Sequence, residues 1–105
     1  MEEKKSKLDI GQIIQHKLFN YTGVIFDIDP NFKGTEEWYQ QVAKSRPPKE
    51  SPWYHVLVDE ALHTTYVAEQ NLEPAKYPQK VVHPLADALF QEFDGKCYKL
   101  RQKIH

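Results

Sequence analysis

Apolar residues in this chain alternate over short runs closed by turn formers, and long helical periodicity is confined to two stretches. Ile10 through Lys17 predicts a first strand weighted by Ile10, Ile13 and Ile14, with Gly11 near its start as a bend. Leu18 to Gly23 predicts a turn in which Asn20 takes an unusual backbone angle. Val24 to Asp29 is the clearest strand: Val24, Phe26 and Ile28 alternate on one face, Ile25, Asp27 and Asp29 on the other. Pro30 ends it by removing a ladder donor. Further on, Trp53–Asp59 and His63–Ala68 predict a hairpin around Glu60, Ala61 and Leu62. On its first strand Tyr54, Val56 and Val58 share one face; Trp53, His55, Leu57 and Asp59 share the other. Asn71 to Pro74 reads as a short closing strand or turn.

The two helical stretches differ in length. Thr35 can cap a helix over 35–44, with Glu36 and Glu37 in a first turn whose dipole favours acids. Trp38, Tyr39 and Val42 fall at helical spacing as anchors, and Pro47 and Pro48 end the segment. After His83, residues Leu85, Ala86, Leu89, Phe90 and Phe93 predict an amphipathic helix started at Pro84 and stopped at Gly95. A basic tail, Lys96 to His105, follows. Short strands with turn residues between them point to a small, mostly antiparallel barrel, with little room inside for a ligand. Function would then sit on loops or an exposed face.

Bulk composition narrows the classes. A chain of 105 residues is one domain and can bury a core without disulfide or metal. Its 14 basic and 15 acidic residues give a net charge of −1, which argues against avid non-specific nucleic-acid binding. Cys97 is the only cysteine, so no internal disulfide can form, and a lone thiol fits a reducing compartment. The charged start, Glu2 to Lys7, is unlike a signal peptide, and no run approaches the roughly 20 apolar residues that span a bilayer. A cytoplasmic protein is the default expectation.

Candidate chemistry is sparse. His55, Asp59 and His63 offer imidazole and carboxylate, which suit zinc, but His55 and Asp59 lie about 13 Å apart along a strand. Asp27 and Asp29 share a face about 7 Å apart, a separation that resembles glycosidase carboxylates. An exposed amphipathic face gives neither acid the burial that tunes a general acid. Cys97 beside Lys96 and Lys99 is an incidental thiol, and the four glycines are too scattered for a phosphate loop. No catalytic residue, metal or cofactor is expected. Tyr21, Trp53, Tyr54 and Tyr66 form either barrel core or an aromatic binding platform. Lys96, Lys99, Arg101 and Lys103 are candidate phosphate or partner contacts, or a soluble tail.

Three ordered motifs resemble one family. Ile10-Gly11-Gln12 with His16, Tyr21-Thr22-Gly23-Val24-Ile25 and Asp27-Ile28-Asp29-Pro30 are similar to the opening of the HspQ family, also called YccV-like or hemimethylated-DNA-binding. Pro52 to Val58 and Tyr66 to Leu72 are similar to its other signatures, and the resemblance spans about Ile10 to Glu73. Glu36-Glu37-Trp38 and Asn71 to Pro74 also resemble the version fused to F-box proteins in eukaryotes, although a chain of this length is more like the bacterial heat-shock form. The resemblance implies a mostly β, small SH3-like, partly open antiparallel barrel with one or two short helices. The domain expected is single, 1–105, with a core at about 10–74 and a C-terminal helix and tail at 83–105. It further implies no enzymatic activity and a heat-shock regulator that acts with the Lon protease on substrates such as the replication initiator DnaA. The alternative is binding of hemimethylated DNA at the origin, and self-association is expected with either. The resemblance carries no set of binding residues, and Lys96 to His105 departs from its pattern. Tyr21, Trp53, Tyr54, His55, Tyr66, Glu69, Gln70 and Asn71 are therefore candidate partner contacts only because they crowd the signature hairpin.

Overall fold

The computed structural model of the chain describes residues 6–43 and 45–101. Its main sheet has five strands: β1 (Ile13–His16), β2 (Thr22–Asp29), β3 (Trp53–Val58), β4 (Thr64–Ala68) and β5 (Leu72–Pro74). They are ordered β4-β3-β2-β1-β5, and every pair is antiparallel. The predicted turns close it. Asn20 (φ 59°) lies between β1 and β2, and Glu60 (φ 59°) lies between β3 and β4.

The short connection from β4 to β5 fixes the curvature. These strands are the two edges of the sheet, yet only one turn of 3-10 helix, Glu69–Asn71, joins them. Across a flat five-strand sheet the edges would stand about 19 Å apart. One 3-10 turn advances only about 2 Å per residue. The sheet must therefore curl until its edges approach, without closing, and the result is a partly open barrel.

A bulge in β2 decides which residues face inward. Ile25 pairs with Val56 and Asp27 with His55, so Phe26 is the extra residue. Ile25 and Ile28 consequently share one face, with Leu8, Ile14, Tyr54, Val56, Val67 and Leu72. The predicted strict alternation of β2 is corrected on this point, because an inserted residue reverses the side-chain phase beyond it. Full burial of each large apolar side chain contributes about 1.5–3 kcal/mol.

The opposite face of the sheet is covered in two halves. One half packs helix α1 (Glu36–Val42) and Phe32 over Trp53 and Ala68. The Thr35 hydroxyl caps α1 by accepting from the Trp38 N–H at 3.1 Å, as the sequence predicts. Tyr39 and Ala43 are the buried anchors, while Val42 is exposed and takes no part.

The other half is covered by the C-terminal segment, and here the predicted long helix is corrected. Helix α2 spans only Ala86–Leu89; β6 (Phe90–Phe93) and β7 (Tyr98–Leu100) follow as a hairpin. Gly95 (φ 99°) makes its turn, and the Asp94 carboxylate accepts from the Lys96 and Cys97 N–H groups at 2.8 and 2.9 Å. Those local bonds offer the backbone an alternative to helix. Phe90 and Tyr98 then pack on Ile13, Val24 and Leu57. Lys96 to Leu100 thus belongs to the turn and the hairpin, not to a tail. Gly11 (φ 90°) admits the hairpin, since a Cβ there would stand 2.0 Å from the Tyr98 carbonyl oxygen. In its place the Tyr98 N–H donates to the Gly11 carbonyl at 2.8 Å.

Candidate functional site

Between the two covering halves the sheet carries a polar group of four side chains. The β2 bulge and the β2–β3 register place Asp27 opposite His55, and Asp29 opposite Trp53, on one face. The β3–β4 register places Tyr66 opposite His55. The His55 Nε2 lies 3.1 Å from an Asp29 oxygen, and the Tyr66 hydroxyl donates to that same oxygen at 2.7 Å. The Tyr66 oxygen accepts from the Lys33 N–H at 3.0 Å. Asp27 accepts from the Ile28 N–H at 2.9 Å. The His55 ring is flanked by Tyr66, at a centroid distance of 4.6 Å, and by Phe26, at 5.7 Å.

The lysine–tyrosine–aspartate chain has a fixed polarity. An N–H can only donate, so Tyr66 accepts from Lys33 and turns its own proton toward Asp29. Burial, and then the hydrogen bond to Asp29, push the Tyr66 hydroxyl well above the usual tyrosine range, so it stays protonated. Asp29 is thereby held as an acceptor.

The remaining hairpin residues sort by burial. Trp53 and Tyr54 are fully enclosed, so both are core, which corrects their reading as contact residues. The Trp53 indole N–H donates to the Pro48 carbonyl at 3.1 Å. Tyr21 is half-buried, with its hydroxyl 2.8 Å from the Thr65 hydroxyl, and burial raises it above the ordinary tyrosine value. Glu69 is half-buried and accepts from the Tyr54 hydroxyl and the Lys7 N–H. Gln70 is exposed, and the Asn71 amide donates to the Ser45 hydroxyl at 3.3 Å. These residues close the barrel at its 3-10 turn.

His55, Asp59 and His63 are not brought together. Asp59 accepts from the Val82 N–H at 2.7 Å, and the His63 carbonyl accepts from the His83 ring at 3.0 Å. Of the basic candidates, Lys96, Lys99 and Arg101 are exposed at the β6–β7 hairpin, and Arg101 donates to the Asp87 carbonyl at 2.6 Å. Lys103 lies outside the described residues. The half-buried Cys97 thiol points to Asp94 at 3.8 Å.

A second feature had no sequence signal. Residues 82–85 lie across the β3–β4 turn: the Glu60 N–H donates to the Val82 carbonyl at 2.8 Å, alongside the Asp59 and His63 bonds. Leu62 and Val82, on these adjoined segments, are 86% and 64% exposed, and Leu85 is also exposed. The sequence pattern sets Leu62 in the hairpin turn and Leu85 on the apolar face of a helix; tertiary placement shows all three side chains outside. Among the described residues no helix is long and apolar enough to cross a membrane.

A family model described as hemimethylated DNA-binding protein, YccV-like, matches residues 6–97, which takes in the whole curled sheet, the α1 covering half, the polar group and the C-terminal segment up to β7. A match over so much of the chain, on a fold that fits it, shows that the protein belongs to the YccV-like family of binding domains.

Proposed function

We propose that this protein is a non-enzymatic, cytoplasmic regulator of the HspQ type that acts through protein contacts. It engages an ATP-dependent protease of the Lon class in heat-stressed cells and alters turnover of substrates such as the replication initiator DnaA. It works as a homo-oligomer formed from single-domain chains. The observation that carries this reading is the exposed apolar surface of Leu62, Val82 and Leu85 on a nearly neutral domain. Exposed large aliphatic side chains, on two segments joined by three hydrogen bonds, suit a protein partner better than a phosphate backbone. The test is a degradation assay with purified protease and initiator. The expected result is a changed rate on adding the protein; no change, with no binding to either component, sinks the reading.

A second reading rests on the family's description, which names hemimethylated DNA, and on exposed Lys96, Lys99 and Arg101. Duplexes that are fully methylated, hemimethylated and unmethylated, titrated over a salt series, decide it. Preference for the hemimethylated duplex supports it. Equal binding to all three, abolished by salt, leaves only electrostatics.

A further inference from the structure

The β2 bulge and the β2–β3 register bring His55, distant in sequence, to Asp27 and Asp29 on the neighbouring strand. One ligand atom each from Asp27, Asp29 and His55 lies within 4.8 Å of the others. We propose that these residues bind one divalent cation of borderline softness, of the zinc type, on the face of the sheet between its two covering halves.

Four observations converge. The first is ligand chemistry: an imidazole nitrogen with two carboxylates suits such an ion, and three protein ligands leave room for water or a partner's group. The second is spacing. Two ligands about 2.05 Å from a tetrahedral ion stand about 3.3 Å apart, and His55 Nε2 already lies 3.1 Å from Asp29. The third is charge. Among the described residues no lysine or arginine pairs with Asp27 or Asp29, so two carboxylates face one imidazole. The fourth is outer-shell support. The Lys33–Tyr66 chain delivers a proton donor to Asp29, and Tyr66 and Phe26 hold the His55 ring. Ligating carboxylates are commonly oriented in this way. The side chains of His55 and Asp29 remain 34% and 21% exposed, so an ion has a path in.

Binding requires one proton movement: the His55 Nε2 must be free of hydrogen, so the ring proton sits on Nδ1 or leaves to solvent. Where Nε2 carries the hydrogen, that N–H bond breaks: a neutral ring regains the proton at Nδ1 through solvent, a doubly protonated ring releases it to solvent, and the coordinate bond to the ion forms in its place.

The experiment is calorimetric titration of the full chain with Zn²⁺, and with Co²⁺ read by its visible absorption, against Mg²⁺. Wild type is expected to bind one Zn²⁺ or Co²⁺ per chain, and more tightly than Mg²⁺. Asp27→Asn and His55→Gln are expected to weaken binding by at least about tenfold, and His63→Gln to leave it unchanged. Asp27 is exposed, so its variant keeps the fold, which far-ultraviolet circular dichroism verifies. Stoichiometric binding that survives both Asp27→Asn and His55→Gln overturns the proposal, as does wild-type binding no tighter than that of Mg²⁺.

Discussion

The Tyr54 hydroxyl donates from the barrel core to the Glu69 carboxylate, at the 3-10 turn that joins the two edges of the sheet. Glu69 also accepts from the Lys7 N–H at 2.8 Å, and the Leu8 N–H donates to Tyr54 at 3.3 Å. Two sequence motifs are thus tied by one half-buried polar junction, which pins the segment that crosses from β4 to β5. Burial and then the Glu69 bond push the Tyr54 hydroxyl above the usual tyrosine range, so it remains a donor.

Tyr54→Phe removes this donor while the ring still fills the core. A hydrogen bond to a charged group contributes about 1.5–3 kcal/mol, so the variant should lose on that order of stability. The loss should appear as a lower urea midpoint with an unchanged m-value. An unchanged midpoint would show that water replaces Tyr54 at Glu69.

His16 should make stability fall in mild acid. Its Nδ1 accepts from the Leu18 and Phe19 N–H groups, both at 3.1 Å, and burial lowers it below the ordinary histidine value of 6.5. The unfolded chain binds this proton more readily, so the His16 contribution is fully present above about pH 6.5 and is lost as pH falls below it. Denaturation of wild type and His16→Gln across that range checks this. The stability gap between them should narrow on acidification; a constant gap would remove His16 as the cause.

Gly11→Ala should loosen the C-terminal hairpin. The new Cβ would meet the Tyr98 carbonyl oxygen at 2.0 Å, from a residue already at φ 90°. Backbone cannot yield as a side-chain tip does, so a cost of about 2–3 kcal/mol is expected. Amide exchange should rise in β6 and β7 more than in β3. Uniform exchange change would mean that the hairpin is not a separate unit.

Leu62→Glu with Val82→Glu tests the partner surface. Both positions are exposed, so each substitution should alter stability by less than about 0.5 kcal/mol. The effect on protease turnover should nonetheless be lost. Full retention of it would move the contact elsewhere, and Lys99→Ala would then distinguish DNA binding by a shallower salt dependence.

Legibility in the sequence followed the range of the interactions. The turn at Asn20, the Thr35 cap and the 53–68 hairpin depend on neighbours within a few residues, and they stand where the pattern predicts. The two faces of β3 were equally legible, because alternation along one strand is local. The C-terminal helix was not. Leu85 to Phe93 satisfies a helical period, but Asp94, Gly95 and the long-range fit of Phe90 and Tyr98 against Val24 favour a hairpin.

The candidate site shows the same division. Sequence alone determined that Asp27 and Asp29 share a face, that His55 lies on a neighbouring hairpin and that Tyr66 follows it. Tertiary structure decided that the four meet, through one extra residue at Phe26 and the register that sets Asp27 opposite His55. It also decided that Trp53 and Tyr54 lie inside and Leu85 outside. Alternation specifies which side chains lie together on a strand; only the packing of that strand against distant segments specifies which side becomes solvent.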